Sequence, residues 1–104
     1  LGVTLPDNAL VIGGGVEVLT TLTDGDNDDS TIAIQINGAN DLVNAVAIVA
    51  EGDAWDAGNH DIIPDGTGST AIKLTAAREL LAVIGTDQVS AGRFRVWLLY
   101  IEGV

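Results

Sequence analysis

The sequence predicts an all-β fold, a sandwich or barrel of about seven short antiparallel strands. Three observations carry that reading. Apolar residues alternate with period two in several stretches, most plainly in Val16 to Thr23 and Thr31 to Asn37. Turn-forming dipeptides and polar loops separate those stretches at roughly 8–15 residues, the spacing of sandwich and barrel strands. No amphipathic pattern runs long enough for a ten-residue helix, which argues against an α/β arrangement. The 104 residues suit one domain, residues 1–104. A domain of that size buries roughly two-thirds of the surface its unfolded chain exposes, enough for a core without metal or disulfide staples.

In chain order, Leu5-Pro6-Asp7-Asn8 reads as a turn, because Pro fixes φ and Asp and Asn tolerate turn geometry. Ala9 to Ile12 is a short apolar strand. Gly13-Gly14-Gly15 interrupts it, as a bulge or a close approach of backbones. Val16 to Thr23 alternates, with Val16, Val18, Thr20 and Leu22 on one face and Glu17, Leu19 and Thr21 on the other. Asp24 to Ser30 is a polar hairpin loop. Thr31 to Asn37 puts Ile32, Ile34 and Ile36 on one face, and Asn37-Gly38 is a turn dipeptide. Leu42 to Ala50 reads as a strand, although its alanines also allow a helical turn. Glu51 to Ser69 is irregular. Thr70 to Thr75 is a strand. Thr75 to Glu79 fits either a capped helical turn or a turn into the strand Leu80 to Ile84. The last strand, Arg93 to Ile101, places Phe94, Val96, Leu98 and Tyr100 on one face and Arg93, Arg95, Trp97, Leu99 and Ile101 on the other.

Composition narrows the function. Hydrophobic residues make up 47% of the chain and charged residues 18%, against about 25% charged in an ordinary soluble domain. That excess of apolar surface points to cover by partner chains. Fifteen acids against four bases give a net charge of −11, which repels nucleic-acid phosphates and anionic membranes, so neither is expected as a partner. No run reaches the ~18 apolar residues of a membrane helix, and no basic opening followed by an apolar stretch suggests a signal peptide. With no cysteine, disulfides and thiolate metal sites are excluded.

The candidate sites are few. Asp24, Asp26 and Asp28 have the alternate spacing of the first calcium ligands in an EF-hand loop. The match fails at its sixth position, Asp29 in place of Gly, and at its twelfth, Gln35 in place of Glu. A solvated hairpin tip whose charge blocks edge aggregation is the preferred reading. His60, with Asp61 and Asp56 nearby, lacks the further ligands of a zinc site and the nucleophile of a hydrolase, and reads as a plain loop histidine. No G-x-S-x-G is present, and Gly13–Gly15 opens no helix, so neither a nucleophile elbow nor a dinucleotide fingerprint is available. An enzyme is not expected, and no cofactor is implied. Both faces of Arg93–Ile101 are largely apolar, so one needs cover. Arg93, Arg95 and Trp97 are therefore candidates for a subunit contact, in which aromatics and arginine are enriched. Trp55 is a loop aromatic that can stack on a sugar, anchor a neighbour or plug one end of the fold.

Several segments together carry a family likeness. These are Leu5-Pro6-Asp7-Asn8-Ala9 with the following glycines and Val16-Glu17-Val18, then Trp55-Asp56-Ala57-Gly58, and finally Ser90 through Tyr100. In that order they resemble small virion proteins of tailed bacteriophages, of the head decoration (cement) or head-fibre type. The resemblance implies a jelly-roll-like β-sandwich, a homotrimer or dimer on the outer surface of the capsid, and the major capsid protein as partner. It implies no catalytic residue. Such proteins have a further strand ahead of the Leu-Pro-Asp turn, so a missing N-terminal strand is expected. The rival reading is a fibre or tail module that recognises a host surface glycan through Trp55 and loop acids.

Overall fold

The computed structural model describes residues 2–24, 30–48, 55–85 and 88–102. Among them the protein is all-β, with strands β1 (Thr4–Leu5), β2 (Leu10–Thr23), β3 (Thr31–Gln35), β4 (Val43–Ala47), β5 (Gly58–Asp61), β6 (Ile72–Lys73), β7 (Arg78–Glu79), β8 (Leu81–Gly85) and β9 (Ala91–Ile101), and no helix. All pairings are antiparallel and fall into three sheets. β2 is the spine of the largest. β9 runs along one of its edges, and β5 and β6 share the other. β3 is the middle of a three-stranded sheet in the order β4-β3-β8, and β1 pairs with β7.

The inner faces of the two larger sheets feed one hydrophobic core. β2 contributes Val11, Val16, Val18 and Leu22; β3 contributes Ile32 and Ile34; Leu42, Trp55, Leu74 and Leu80 close it from the connections. Burying each aliphatic side chain of this kind is worth ~1.5–3 kcal/mol, so these positions supply most of the drive for folding.

Where the strands differ from the pattern in the sequence, backbone pairing is the cause. The glycine run does not end a strand. β2 passes straight through it, with a register shift between Val11 and Gly13. That shift changes the parity, so odd-numbered Val11 and even-numbered Val16 and Val18 all point inward. A second shift, between Val18 and Thr20, turns Thr20 outward opposite Arg93, away from the face of Val16 and Val18 where simple alternation puts it. β5, with sequence Gly-Asn-His-Asp, has no apolar stripe; it forms because its backbone pairs with Gly15–Val18 of β2. No helical turn follows Thr75. Its N–H and hydroxyl donate to Asn37 Oδ1 at 3.3 Å each, and Arg78–Glu79 go on to pair with Thr4–Leu5.

Two turns are held by identifiable groups. At Pro6–Ala9 the Ala9 N–H donates to the Pro6 carbonyl at 3.3 Å, and Asn8 takes φ 65°, as the Leu-Pro-Asp-Asn segment suggests. After β3 the Asp41 carboxylate accepts three backbone N–H groups, from Ile36 (2.9 Å), Asn37 (2.9 Å) and Gly38 (2.8 Å). Asn37-Gly38 is thus part of a longer connection clamped by Asp41 rather than a two-residue hairpin.

Candidate protein-binding face

The outer face of the large sheet is built where β9 lies against β2. The register pairs Glu17 with Arg95, Gly15 with Trp97, Gly13 with Leu99 and Leu10 with Ile101, so these residues share one side. The glycines explain how the tryptophan sits. A Cβ on Gly15 would lie 2.9 Å from the Trp97 indole, so the ring rests on bare backbone. Gly14 points inward. A Cβ there would come 2.2 Å from the Trp97 carbonyl oxygen, and its φ of +151° is one that L side chains rarely adopt. The glycine run therefore lets the two long strands meet closely and gives Trp97 a flat seat.

That seat does not bury the ring. Trp97 remains 52% exposed, and Leu99 and Ile101 are each 55% exposed beside it. The Arg95 guanidinium pairs with the Glu17 carboxylate across the strands, fixing a cation next to the apolar row. Arg93 continues the row in the direction of Thr20. The period-two reading of β9 holds for most of the strand: Phe94, Val96 and Leu98 pack against the core and the odd-numbered residues face out, but Tyr100, expected with the inner row, is 41% exposed. Arg93, Arg95 and Trp97 are thus brought together on one exposed face. Leu99 and Ile101 belong with them. Their parity was visible in the sequence, whereas the glycine seat follows only from the register with β2.

Of the three uses open to Trp55, the structure shows the filling of the fold, which corrects its place among the interface candidates. It is fully buried, packing edge-on against Phe94 with ring centroids 5.0 Å apart and an interplanar angle of 68°. Its carbonyl accepts the Leu22 N–H at 3.3 Å, and two residues on the Ala57 N–H donates to Thr21 Oγ1 at 3.0 Å. The segment is drawn under β2, so Trp55 fills the core and cannot meet a partner or stack on a sugar. The glycan-binding reading loses the aromatic on which it relied.

Of the Asp24, Asp26 and Asp28 triplet, the last two lie outside the described residues. Asp24 is buried, and its Oδ2 accepts both the Ser30 N–H (3.1 Å) and the Ser30 hydroxyl (3.0 Å). Its carboxylate ties the two ends of the loop together. Among the described residues no cluster of three or more histidine or acidic side chains could hold a metal. His60 is half-buried on β5, and its Nε2 donates to the Asp56 carbonyl at 2.6 Å. That bond goes to a backbone carbonyl rather than to a carboxylate.

Two grooves flank the face. One, of about 460 Å³, lies along β9 between Phe94 and Val96 on one side and Val3 and Leu80 on the other. The second, of about 340 Å³, runs from Leu99 and Ile12 to Pro64 and Asp65. Asp65 organises the loop at its rim: Oδ1 accepts the Thr67 N–H (3.1 Å), the Thr67 hydroxyl (2.8 Å) and the Thr70 hydroxyl (2.8 Å). The Thr67 hydroxyl, then the Thr70 hydroxyl and the Thr67 N–H, hold its pKa below the ordinary value. Among the described residues neither groove gathers a nucleophile with a base. Comparison with family models, with curated proteins and with solved structures gives no match for this chain.

Proposed function

We propose that this chain is a capsid decoration (cement) protein of a tailed bacteriophage, which binds the outer head surface and strengthens the shell by non-covalent contacts between subunits. The observation that carries the binding role is the row Trp97, Leu99 and Ile101, more than half exposed on a strand paired along its length with β2, with Arg95 held at its end by Glu17. Exposed aromatic and aliphatic side chains beside an arginine are the make-up of an interface centre. The decoration role itself rests on the likeness of the Leu5–Ala9, Trp55–Gly58 and Ser90–Tyr100 segments to head decoration and head-fibre proteins. A net charge of −11 suits such a role, because it keeps crowded copies on a shell soluble.

The mechanism needs no reacting group. A protein that binds the assembled shell and not its separated subunits stabilises the shell by mass action. Burying the indole and the two aliphatic side chains provides affinity, while Arg93 and Arg95 steer the face toward acidic patches of the major capsid protein. Major capsid protein and further copies of this chain are the partners, and the outer surface of the virion is the location.

Electron microscopy of intact particles with this chain labelled tests the reading. Label spread over the whole head supports decoration; label confined to one vertex or to the tail overturns it in favour of a fibre module. In a binding assay on heads stripped of the protein, Trp97→Ala should weaken binding by about 2 kcal/mol, roughly thirtyfold, while leaving folding intact.

A further inference from the structure

β9 offers more than a face. Its inner edge is bonded to β2 from Ala91 to Ile101, and among the described residues no strand pairs with its outer edge. Monomeric β proteins blunt long edges with proline, with inward charges, with bulges or by keeping the strand short. From Phe94 to Ile101 β9 has no proline, and its one charge, Arg95, points outward. A strand of this kind accepts another by edge pairing.

We propose that the occupant is β9 of a second copy of this chain, paired antiparallel about a two-fold axis at Trp97. The inference deepens the reading of this face as a protein contact, but it does not require the shell. Charge selects the occupant and the direction. The protein carries −11 overall, yet β9 holds two of its four bases, Arg93 and Arg95, and no acid. It is therefore a stretch along which two strongly acidic copies can approach without acid meeting acid. A parallel copy would set arginine beside arginine, which is unfavourable for directly opposed like charges. The antiparallel arrangement sets Arg95 opposite Leu99 of the second copy and Arg93 opposite Ile101.

The register follows from the faces. An axis at Trp97 keeps odd-numbered residues opposite odd-numbered ones, so the apolar outer row continues across the seam and the half-buried inner row does the same. Trp97 then faces its own copy, with each Arg95 one diagonal step from the opposite indole, within reach of a cation–π contact. An axis two residues nearer the start of the strand would oppose Arg95 to Arg95. The groove bounded by Phe94, Val96, Val3 and Leu80 lies under the same edge, and the pairing would roof it.

The chain has no cysteine, which makes a single-cysteine scan clean. Under mild oxidation Trp97→Cys should cross-link to itself, and Arg95→Cys should cross-link to Leu99→Cys when the two variants are mixed, in preference to either alone. Ala57→Cys, exposed beyond the opposite edge of the sheet, should stay single. The unmodified chain should sediment as a dimer, and Leu99→Lys should weaken the association by roughly tenfold or more. Monomer mass at every concentration, a trimer mass, or cross-linking through Val83→Cys on β8 in place of β9 would each overturn the pairing. A monomer that still coats heads would leave the decoration reading standing. A dimer that never reaches a head would sink that reading and leave this one.

Discussion

β3 and β9 begin as the same kind of sequence, an apolar strand, and end in opposite circumstances. β3 lies between β4 and β8, and Ile32, Ala33 and Ile34 are all buried although Ala33 points to the other face. Among the described residues β9 has a strand, β2, on one side only. Its inner row is half covered, and its outer row stands in water. Alternation thus states which way side chains point. Whether the second face is covered depends on the neighbours in the sheet, and a strand that is apolar on both faces at an edge is left needing a partner.

The sharpest break in that comparison is between the two tryptophans. Trp55→Ala should cost about 3–5 kcal/mol in urea unfolding, because the ring fills the core against Phe94. Trp55→Phe, which keeps part of the volume, gives a measurable protein if the alanine variant does not fold. Trp97→Ala should shift unfolding by no more than about 0.5 kcal/mol, since its ring is half in water. Equal losses at the two positions would erase the distinction drawn here.

Next is the seam between β2 and β9. Gly14→Ala should cost about 2–4 kcal/mol, because the new methyl would meet the Trp97 carbonyl and φ is unfavourable for a side chain. Gly15→Ala should cost far less, since the indole can lift away, and should move Trp97 emission toward that of free tryptophan in water. A pair of truncations probes the strands themselves: Ile34→Ala in β3 should cost about 2–5 kcal/mol, and Leu99→Ala in β9 about 0.5 kcal/mol or less.

The smallest effect concerns Asp65. Its pKa is lowered in the folded protein, so its contribution to stability is present above the unfolded carboxylate's pKa and is lost as pH falls through the folded value. Asp65→Asn should remove that acid-side component and loosen the Thr67–Thr70 loop, seen as faster exchange of the Thr67 amide, with little change in the unfolding midpoint at neutral pH.

Much of this architecture was legible in the residues. The isoleucines of β3 marked its inner face, and strand parity placed Arg93 to Leu99 on their faces, because β-branched and aromatic side chains favour an extended, half-buried strand. The short strands were not legible. Thr4–Leu5, Gly58–Asp61 and Arg78–Glu79 carry no hydrophobic stripe and exist through backbone pairing to distant partners. The irregularity at Gly13–Gly15 was legible from the glycines, but the shift between Val18 and Thr20 was not, so Thr20 was placed on the wrong face. In the candidate site, Arg93, Arg95 and Trp97 could be grouped from parity alone. The buried position of Trp55 could not, because a tryptophan in a polar loop looks alike whether it points in or out.

Hydrogen exchange by mass spectrometry, comparing the dilute free chain with the chain on the assembled head, tests the central claim most directly. The account predicts that amides of residues 91–101 become protected on assembly, while residues 31–35, already enclosed, do not change. Equal exchange of residues 91–101 in both states, with new protection confined to some other surface, would contradict it.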